Sequence, residues 1–371
     1  MRSSVLRALR PVRPAFTARR ALLPRTYATL NPHTPPPTTP YEVFDEPSKD
    51  RQRDRAILRL RQDTSDPADQ EGSDVEDPVK VVDYLREEIA ERLAERIEDL
   101  KTPPGSILEL AAHSGQLTQI LQEVLADEVP SESENQDAQD QRRKWWIVES
   151  SEGALNRDDD SLFASPPTRI QASPSNLLSH PQIQPLIGNV EAVVSAGGLH
   201  WVGDIVGALT QVRHVLKPDG VFVGAVLGGD TLFELRTSLQ LAEQERRGGI
   251  ANRVSPMINP TDAPSLLNRA GFTLTTIDVE DMTINYPSLW ELMADLRDMG
   301  ESNAILGRRT HVSRDVLLAA EAIYKAELYG NEDGSVPATF QIIFLIGWKP
   351  GPNQPKPLER GSATTNLKDV L

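Results

Sequence analysis

Cysteine is absent from this chain of 371 residues, and so is any long apolar run. Without cysteine the chain can have no disulfide bond, no thiolate metal site and no cysteine nucleophile. A membrane-spanning helix needs a run of about 18 apolar residues, so the sequence predicts none. Aromatic residues make up only 5% of the chain, and the core is therefore expected to consist mainly of Leu, Val and Ile. The length fits one large domain with flexible extensions.

Acidic residues are also missing from the start of the chain, although the formal net charge is −15 overall. Residues 1–27 contain seven arginines and no acid, which is typical of a mitochondrial presequence. The stretch Arg25-Thr-Tyr27-Ala28 resembles a cleavage site of the matrix peptidase. The alternative is a basic arm that binds nucleic acid. The rest of the chain is strongly acidic, and this disfavours any grip on nucleic acid phosphates.

Flexible segments are predicted on both sides of one domain. Residues 28–78 are interpreted as a flexible linker, because 28–40 are rich in Pro and Thr and 63–78 are acidic with few large apolar residues. A short charged motif at 41–60 interrupts this linker. The acidic stretch 127–141 is predicted to be a surface insertion, and 351–371 a flexible tail.

Strand and helix patterns alternate between residues 79 and 350. The first helix is predicted over Val79–Leu100, where large apolar residues recur every four positions. Strands are predicted at 106–110, 144–149, 168–172, 190–195, 221–227, 273–284 and 339–348, and helices at 117–125, 202–216, 230–247, 289–299 and 314–329. This order predicts a Rossmann-like, doubly wound α/β sheet of the class I S-adenosylmethionine (SAM) methyltransferase type. The last two strands would form a terminal antiparallel pair, with helical cap insertions within 230–335.

A cofactor constellation is expected where the parallel strands end. The first loop reads Glu109-Leu-Ala111-Ala-His113-Ser-Gly115, with Ala and His at two positions where glycine is usual. A Cβ at 111 is tolerable, whereas the His113 imidazole would enter the space of the methionine moiety or turn away. The full set of predicted cofactor-binding residues is Glu109, Ala111, Gly115, Glu149, Ser173 and Ser195. Two alternatives stay open: a strand–turn–helix without ligand, and Glu149 as a solvated loop acid.

Long segments of the chain resemble a known protein family. They include VFDEPSKDRQRDRA, DYLREEIAERLAERI, GGDTLFELR and NEDGSVPATFQ. Over most of residues 41–364 the sequence is similar to the methyltransferase-like assembly factor 5 family of mitochondrial respiratory complex I, whose members are described as arginine hydroxylases. The first loop departs from the fuller glycine pattern of that family.

This resemblance implies both a location and a reaction. It implies a protein of the mitochondrial matrix, on the matrix face of the inner membrane and peripherally attached. The expected partner is a peripheral-arm subunit of complex I, and the expected reaction is hydroxylation of an arginine in that subunit. SAM is the cofactor that the fold implies, although the departures at Ala111 and His113 put its affinity in doubt.

The candidate catalytic residues are Asp230, Glu234 and His200, because carboxylates are expected to hold and polarise the substrate guanidinium. Asp230 and Glu234 would share one helix face at four-residue spacing, or else simply stabilise a helix N-terminus with Asp230 as N-cap. His200 precedes Trp201 at the mouth of the cleft and is either a substrate contact or a packing residue. Substrate or partner contacts are predicted at Trp201, Glu301, Asn303 and Asn331, and the last of these is also compatible with a plain turn. The six histidines are scattered, and no metal site is predicted.

Three functions are compatible with these features. The first is an enzyme that modifies an arginine of a complex I subunit. The second is a non-catalytic assembly chaperone with a degenerate SAM pocket, and Ala111, His113 and Ser173 motivate it. The third is a conventional SAM-dependent methyltransferase, for example of a small quinone-like molecule.

Overall fold

A computed structural model describes residues 43–63, 82–126, 143–309 and 311–355. All of them belong to one compact unit that begins at Tyr41. The predictions for the presequence 1–27, for linker residues 28–42 and 64–78, for the acidic insertion 127–141 and for tail residues 356–371 lie outside the described residues.

The strands of the described residues form one mixed sheet of seven. They are β1 Ser106–Leu110, β2 Lys144–Glu149, β3 Thr168–Gln171, β4 Val190–Ala196, β5 Leu216–Leu227, β6 Thr273–Tyr286 and β7 Val336–Trp348. The order across the sheet is β3-β2-β1-β4-β5-β7-β6. Strands β1 to β5 run parallel, and β7 lies antiparallel between β5 and β6. This topology confirms the predicted methyltransferase-type sheet and its terminal antiparallel pair.

Helices cover both faces of the sheet. They are α1 Glu46–Asp63, α2 Tyr84–Glu98, α3 Gln116–Val124, α4 Glu152–Leu155, α5 Ile205–Val215, α6 Phe233–Arg247, α7 Ala263–Ala270, α8 Leu289–Asp298 and α9 Arg314–Ala322, which continues as a π-helical turn over Ile323–Leu328. Most predicted helices begin or end within a few residues of these bounds. Helices α1, α4 and α7 were not predicted.

Two apolar cores lie on opposite sides of the sheet, as the two-residue period of a strand requires. Ile107 and Val223 join the core that contains the buried faces of α2, α3 and α6, whereas Leu108 and Phe222 join the core against α5 and α7. Because both faces are covered, β4 and the second half of β5 are continuous apolar runs rather than alternating ones. This is why the sequence pattern identified them as buried strands.

Helix α1 is the main departure from the predicted organisation. The sequence pattern suggested a flexible linker around a short motif, but the structure contains an 18-residue helix here. Its buried residues recur at helical spacing and are Lys49, Arg53, Ala56, Ile57 and Leu60. Since the first two are cationic, apolar periodicity cannot reveal this face.

Candidate functional site

The carboxyl ends of β1 to β4 meet at one edge of the sheet, because these strands are parallel. Strand order reverses between β1 and β4, and ligands of doubly wound folds bind at such a switch point. The structure brings all six predicted cofactor-binding residues to this edge, namely Glu109, Ala111, Gly115, Glu149, Ser173 and Ser195. Ser195 is fully buried, and its hydroxyl has no hydrogen-bond partner among the described residues.

The loop after β1 keeps a glycine-type backbone at two residues that are not glycine. The φ angles are +54° at Ala111, +53° at His113 and +94° at Gly115. A left-handed conformation costs a residue with a Cβ roughly 1–2 kcal/mol. The turn shape of a ligand-binding loop is therefore present despite the side chains at 111 and 113.

The His113 side chain is buried rather than turned out to solvent. Its Nδ1 has no hydrogen-bond partner among the described residues. Burial, together with the nearby guanidinium groups of Arg86, Arg157 and Arg53, lowers the pKa of His113 well below its ordinary value. The imidazole is thus neutral at pH 7 and adds no charge to the loop.

Glu109 is a buried carboxyl group one residue before the end of β1. Its Oε2 accepts hydrogen bonds from the Thr118 amide, at 3.0 Å, and from the Thr118 hydroxyl, at 2.5 Å. Burial raises the pKa of Glu109 to about 7, although the two bonds from Thr118 oppose this shift. Glu109 therefore ties β1 to α3 and is partly protonated near neutral pH.

Replacing Glu109 with glutamine should remove a pH dependence of stability. The folded-state pKa of about 7 lies above the ordinary 4.5, so the folded state holds this proton longer than the unfolded state. The resulting stabilisation is complete below the lower value and is lost as the pH rises through the upper one. The wild type should therefore lose about 3 kcal/mol of unfolding free energy relative to Glu109→Gln as the pH rises from below 4.5 to above 7. Urea denaturation of both proteins over a pH series measures this, and parallel curves would contradict it.

Glu149, at the end of β2, is fully buried and already bonded by protein groups. Its Oε1 accepts from the Arg53 guanidinium at 2.8 Å and from the Ser150 and Ser151 amides, and its Oε2 accepts from the His113 amide at 2.9 Å. Burial would raise the pKa of Glu149, but Arg53 and these amide donors hold it below its ordinary value. Glu149 is thus a charged, internally paired carboxylate and not a solvated loop acid.

Helix α1 lies across the ends of β2 and β3. Besides Arg53, it directs three carboxylates, at Glu46, Asp50 and Asp54, to hydroxyl and amide groups at this edge. Glu46 accepts from the Ser173 and Ser175 hydroxyls, and Asp50 accepts from the Ser150 hydroxyl. Asp54 accepts from the Ser151 hydroxyl and the Gly153 amide. The cavity left between α1 and the strand ends is about 30 Å³. Ligand pockets for small molecules typically measure about 300–1,000 Å³, so α1 fills most of this site.

Glu301 is the centre of a second charged cluster, beside the first. Its carboxylate accepts from Trp201 Nε1 at 2.5 Å and from Arg86 at 3.0 Å, and it lies 3.6 Å from both Lys49 Nζ and His200 Nε2. Burial would raise the pKa of Glu301, but the positive charge of Lys49 and the contacts with His200 and Arg86 hold it well below its ordinary value. The predicted substrate residues Trp201, Glu301 and His200 therefore do come together.

Lys49 joins this cluster from α1. Its Nζ lies 3.2 Å from the centroid of the Trp201 ring and donates to the carbonyl oxygens of Gly300 and Ser302, at 2.9 and 3.0 Å. Burial lowers the pKa of Lys49 to about 7, although Glu301 opposes this shift. One helix thus contacts both the strand-end site and the cap.

Asp230 and Glu234 do not share a helix face, which is a correction to the prediction. The helix predicted from 230 begins only at Phe233, after Leu232 takes a left-handed φ of +54°. Asp230 is exposed outside the helix, and Glu234 is buried within it. Asp230 accepts from the Gln341 side chain and Glu234 from Thr339, so both carboxylates bind β7. The N-cap of this helix is Leu232 and not Asp230.

Asn303 and Asn331 are bound within loops. Asn303 accepts from Ser255 at 2.8 Å and donates to the Asn252 carbonyl, and so holds two cap segments together. Asn331 donates to Asn285 and to Ser335 at a turn before β7. This geometry favours the turn interpretation of Asn331.

A larger cavity of about 450 Å³ opens beside Trp201 and Glu301. Asn303 and Gln52 also line it, together with Arg253, Arg308 and Arg309, of which the first two are paired with Glu243 and Asp45. The remaining wall is mainly apolar, from α6, α8 and the cap loops. A mainly apolar pocket with a few polar groups is the usual form of a ligand site. The described residues contain no group of three His, Asp or Glu side chains arranged to hold a metal ion. Among the described helices, none is long and apolar enough to cross a membrane.

Residues that sequence reasoning missed are mainly charged, and they include the α1 acids Glu46, Asp50 and Asp54. Lys49, Arg53, Arg86 and Arg157 surround the site, and Arg157 pairs with Asp83 at 2.6 Å. Charged residues are normally assigned to solvated helix faces. The one signal that pointed to α1 was its close resemblance to the family at a segment with no apolar pattern.

Comparisons with known proteins cover most of the chain. No family model matches it. It is 41% identical over 329 residues to "Arginine-hydroxylase NDUFAF5, mitochondrial" of Danio rerio, which spans 88% of this chain and 89% of that protein. It is 28% identical over 281 residues to malonyl-[acyl-carrier protein] O-methyltransferase of Laribacter hongkongensis, across 75% of this chain and 86% of that protein. Among solved structures, geranyl diphosphate C-methyltransferase of Streptomyces coelicolor, bound to S-adenosyl-L-homocysteine, is 12% identical with a TM-score of 0.40, over 76% of this chain and 86% of that one.

Proposed function

The chain belongs to the family of the mitochondrial arginine hydroxylase NDUFAF5, and on that basis we propose that it hydroxylates an arginine of a peripheral-arm subunit of respiratory complex I during assembly. The observation that carries this proposal is the 41% identity over 329 residues. The proposed location is the mitochondrial matrix, with peripheral attachment to the matrix face of the inner membrane. The proposed partner is the subunit itself, with no nucleic acid involved.

The larger cavity is the proposed binding site for the substrate arginine. Glu301 provides a carboxylate at its wall, and a carboxylate is the natural partner of a guanidinium. Because Arg86 and Trp201 already donate to Glu301, the substrate guanidinium would replace one of these donors. A guanidinium that stacks on the Trp201 ring would likewise replace the Lys49 ammonium, which lies 3.2 Å from the ring centroid. His200, neutral because burial lowers its pKa, lies beside Glu301 with both ring nitrogens unpartnered among the described residues and is therefore proposed as a contact for the substrate. Asp230 and Glu234 hold β7 and are assigned no contact with substrate.

SAM does not fit the strand-end site while α1 is docked. The acid that would bind the ribose hydroxyls, Glu149, is paired with Arg53, and the remaining cavity is about 30 Å³. The glycine-type turn of the first loop is nevertheless present. No chemical step is therefore assigned to SAM here.

Two other functions draw support from particular observations. The Arg53–Glu149 pair favours an assembly chaperone whose cofactor site is closed by its own helix. The similarity to an O-methyltransferase favours methyl transfer. Both differ from the main proposal in the product found on the complex I subunit.

Mass spectrometry of that subunit tests the proposal. We expect cells that lack the protein to lose the hydroxylated arginine, and wild-type protein to restore it. Glu301→Gln should restore at least about tenfold less hydroxylated arginine than the wild type does, because a neutral amide holds a guanidinium more weakly than a carboxylate does. The matched control is Glu332→Gln, at an exposed turn, which should behave as the wild type. Protein amounts are equalised by immunoblot, so that lower stability cannot imitate lower activity.

Each outcome separates the alternatives. Hydroxylated arginine in cells without the protein would overturn the enzymatic proposal. Complex I that fails to assemble without the protein, from subunits whose arginine is never hydroxylated, would point to the chaperone. A methylated product lost with the protein would point to methyl transfer. If Glu301→Gln fully restored the hydroxylated arginine, Glu301 would not be part of the substrate site.

A further inference from the structure

Helix α1 makes the contacts that a nucleoside would make at the ends of β1, β2 and β3. We propose that α1 is a displaceable occupant of this site, so that an adenosine-containing ligand and docked α1 compete for Glu149. This goes beyond the proposed function, because it concerns ligand access and holds whichever group the enzyme modifies.

The competition follows from the hydrogen-bonding capacity of Glu149. In doubly wound folds an acid near the end of the second strand accepts hydrogen bonds from a ribose. Here Oε1 of that carboxylate is taken by Arg53 at 2.8 Å and by the Ser150 and Ser151 amides. Glu149 is also completely buried, so ribose hydroxyls cannot reach it past α1. Binding of a nucleoside therefore requires the Arg53–Glu149 pair to separate.

Polar groups around Glu149 are also satisfied by α1. The hydroxyls of Ser150, Ser151 and Ser175 donate to Asp50, Asp54 and Glu46. These carboxylates lie four residues apart along the helix, so one face of α1 meets one row of donors. When α1 leaves, those hydroxyls become free to bind the polar edge of a ligand. The same departure would remove the wall that Glu46, Lys49, Asp50 and Arg53 form around the 30 Å³ cavity.

Unpartnered groups lie deeper at the same edge. The hydroxyl of Ser195 and the Nδ1 of His113 are buried and have no hydrogen-bond partner among the described residues. Buried polar groups without partners are uncommon and call for an explanation. A ligand that replaces α1 would bring polar atoms to this edge, whereas docked α1 does not reach these two.

Displacement of α1 would also change contacts with the cap. Lys49 and Arg53 are one helical turn apart on α1, and Lys49 contacts Trp201, Gly300 and Ser302. A movement of α1 away from Glu149 thus withdraws Lys49 from Trp201, and Gln52 from the wall of the larger cavity. Ligand binding at the strand ends would in this way alter the proposed substrate site.

The test uses the full-length chain and S-adenosylhomocysteine as the probe. Calorimetric titration compares the wild type with Arg53→Gln, which removes the competing cation, and with Ile57→Ala, which weakens α1 packing but leaves Glu149 and Arg53 in place. Arg55→Gln removes an exposed charge of the same helix and serves as the matched control. Both α1 variants should bind about tenfold more tightly or better, because the open state becomes more populated. Arg55→Gln should match the wild type.

Hydrogen exchange of the wild type gives a second readout that needs no variant. Saturating S-adenosylhomocysteine should increase the exchange of amides in residues 46–63 if α1 is displaced. Unchanged or slower exchange with bound ligand would overturn the proposal. So would equal affinity of all four proteins, or the absence of binding by any of them at millimolar ligand. If Arg53→Gln fails to fold, Ile57→Ala and the exchange experiment decide.

Discussion

Replacing Glu149 with leucine is expected to lower the free energy of unfolding by about 3–5 kcal/mol. The change leaves the Arg53 guanidinium buried without its counter-ion, since the two side chains are only 6% and 1% exposed. It also removes the acceptor of the His113 and Ser151 amides. Each buried donor left without a partner adds to the loss. Urea denaturation followed by circular dichroism measures it.

A double-mutant cycle shows whether the pair itself is responsible. Arg53→Met combined with Glu149→Leu should recover much of the loss, because an apolar pair of similar volume carries no desolvation penalty. Glu152→Gln changes an exposed acid three residues away and should have little effect. If Glu149→Leu lowers the free energy of unfolding by less than about 1 kcal/mol, the Arg53–Glu149 pair contributes no more than an exposed ion pair does. That result would mean that α1 does not seal this site in solution.

Stability of the wild type should rise as the pH increases from neutral to alkaline values, and Lys49→Met should abolish this rise. The folded-state pKa of Lys49 is about 7, below the ordinary 10.5. Between these values the folded protein has released the proton that the unfolded chain still binds, so raising the pH favours folding. Below the lower value Lys49 is protonated in both states and contributes no slope. The full difference amounts to about 5 kcal/mol as an upper limit.

Lys49→Met keeps an unbranched side chain over the Trp201 ring, so packing is largely retained. A neutral lysine amine still has two N–H donors for the Gly300 and Ser302 carbonyls, so both hydrogen bonds can persist after deprotonation. The comparison is made by denaturation of both proteins over a pH series. Lys144→Met, at the exposed start of β2, should keep the wild-type slope. A slope that survives in Lys49→Met would assign it to another group.

Much of the fold could be predicted because the apolar residues of its buried strands are visible in the sequence. Strands β1 and β2 were predicted with the bounds that the structure has, since apolar runs such as Ser106–Leu110 can only be buried. Glu109 and Glu149 were found by their position at strand ends. Asp230 and Glu234 were placed wrongly on one helix face, because spacing alone does not reveal the left-handed turn at Leu232.

The Rossmann-like sheet with its terminal antiparallel pair and the two missing glycines of the first loop were determined by the sequence alone, together with the family. Each depends on local pattern or on resemblance. Tertiary structure decided what fills the site. Arg53 meets Glu149 across 96 positions of the chain and Lys49 meets Glu301 across 252, and the partners become neighbours only when α1 docks on the sheet edge. A charged helix face is read as solvated until its counter-ions are known, so the residues that close the site carried no sequence signal of burial.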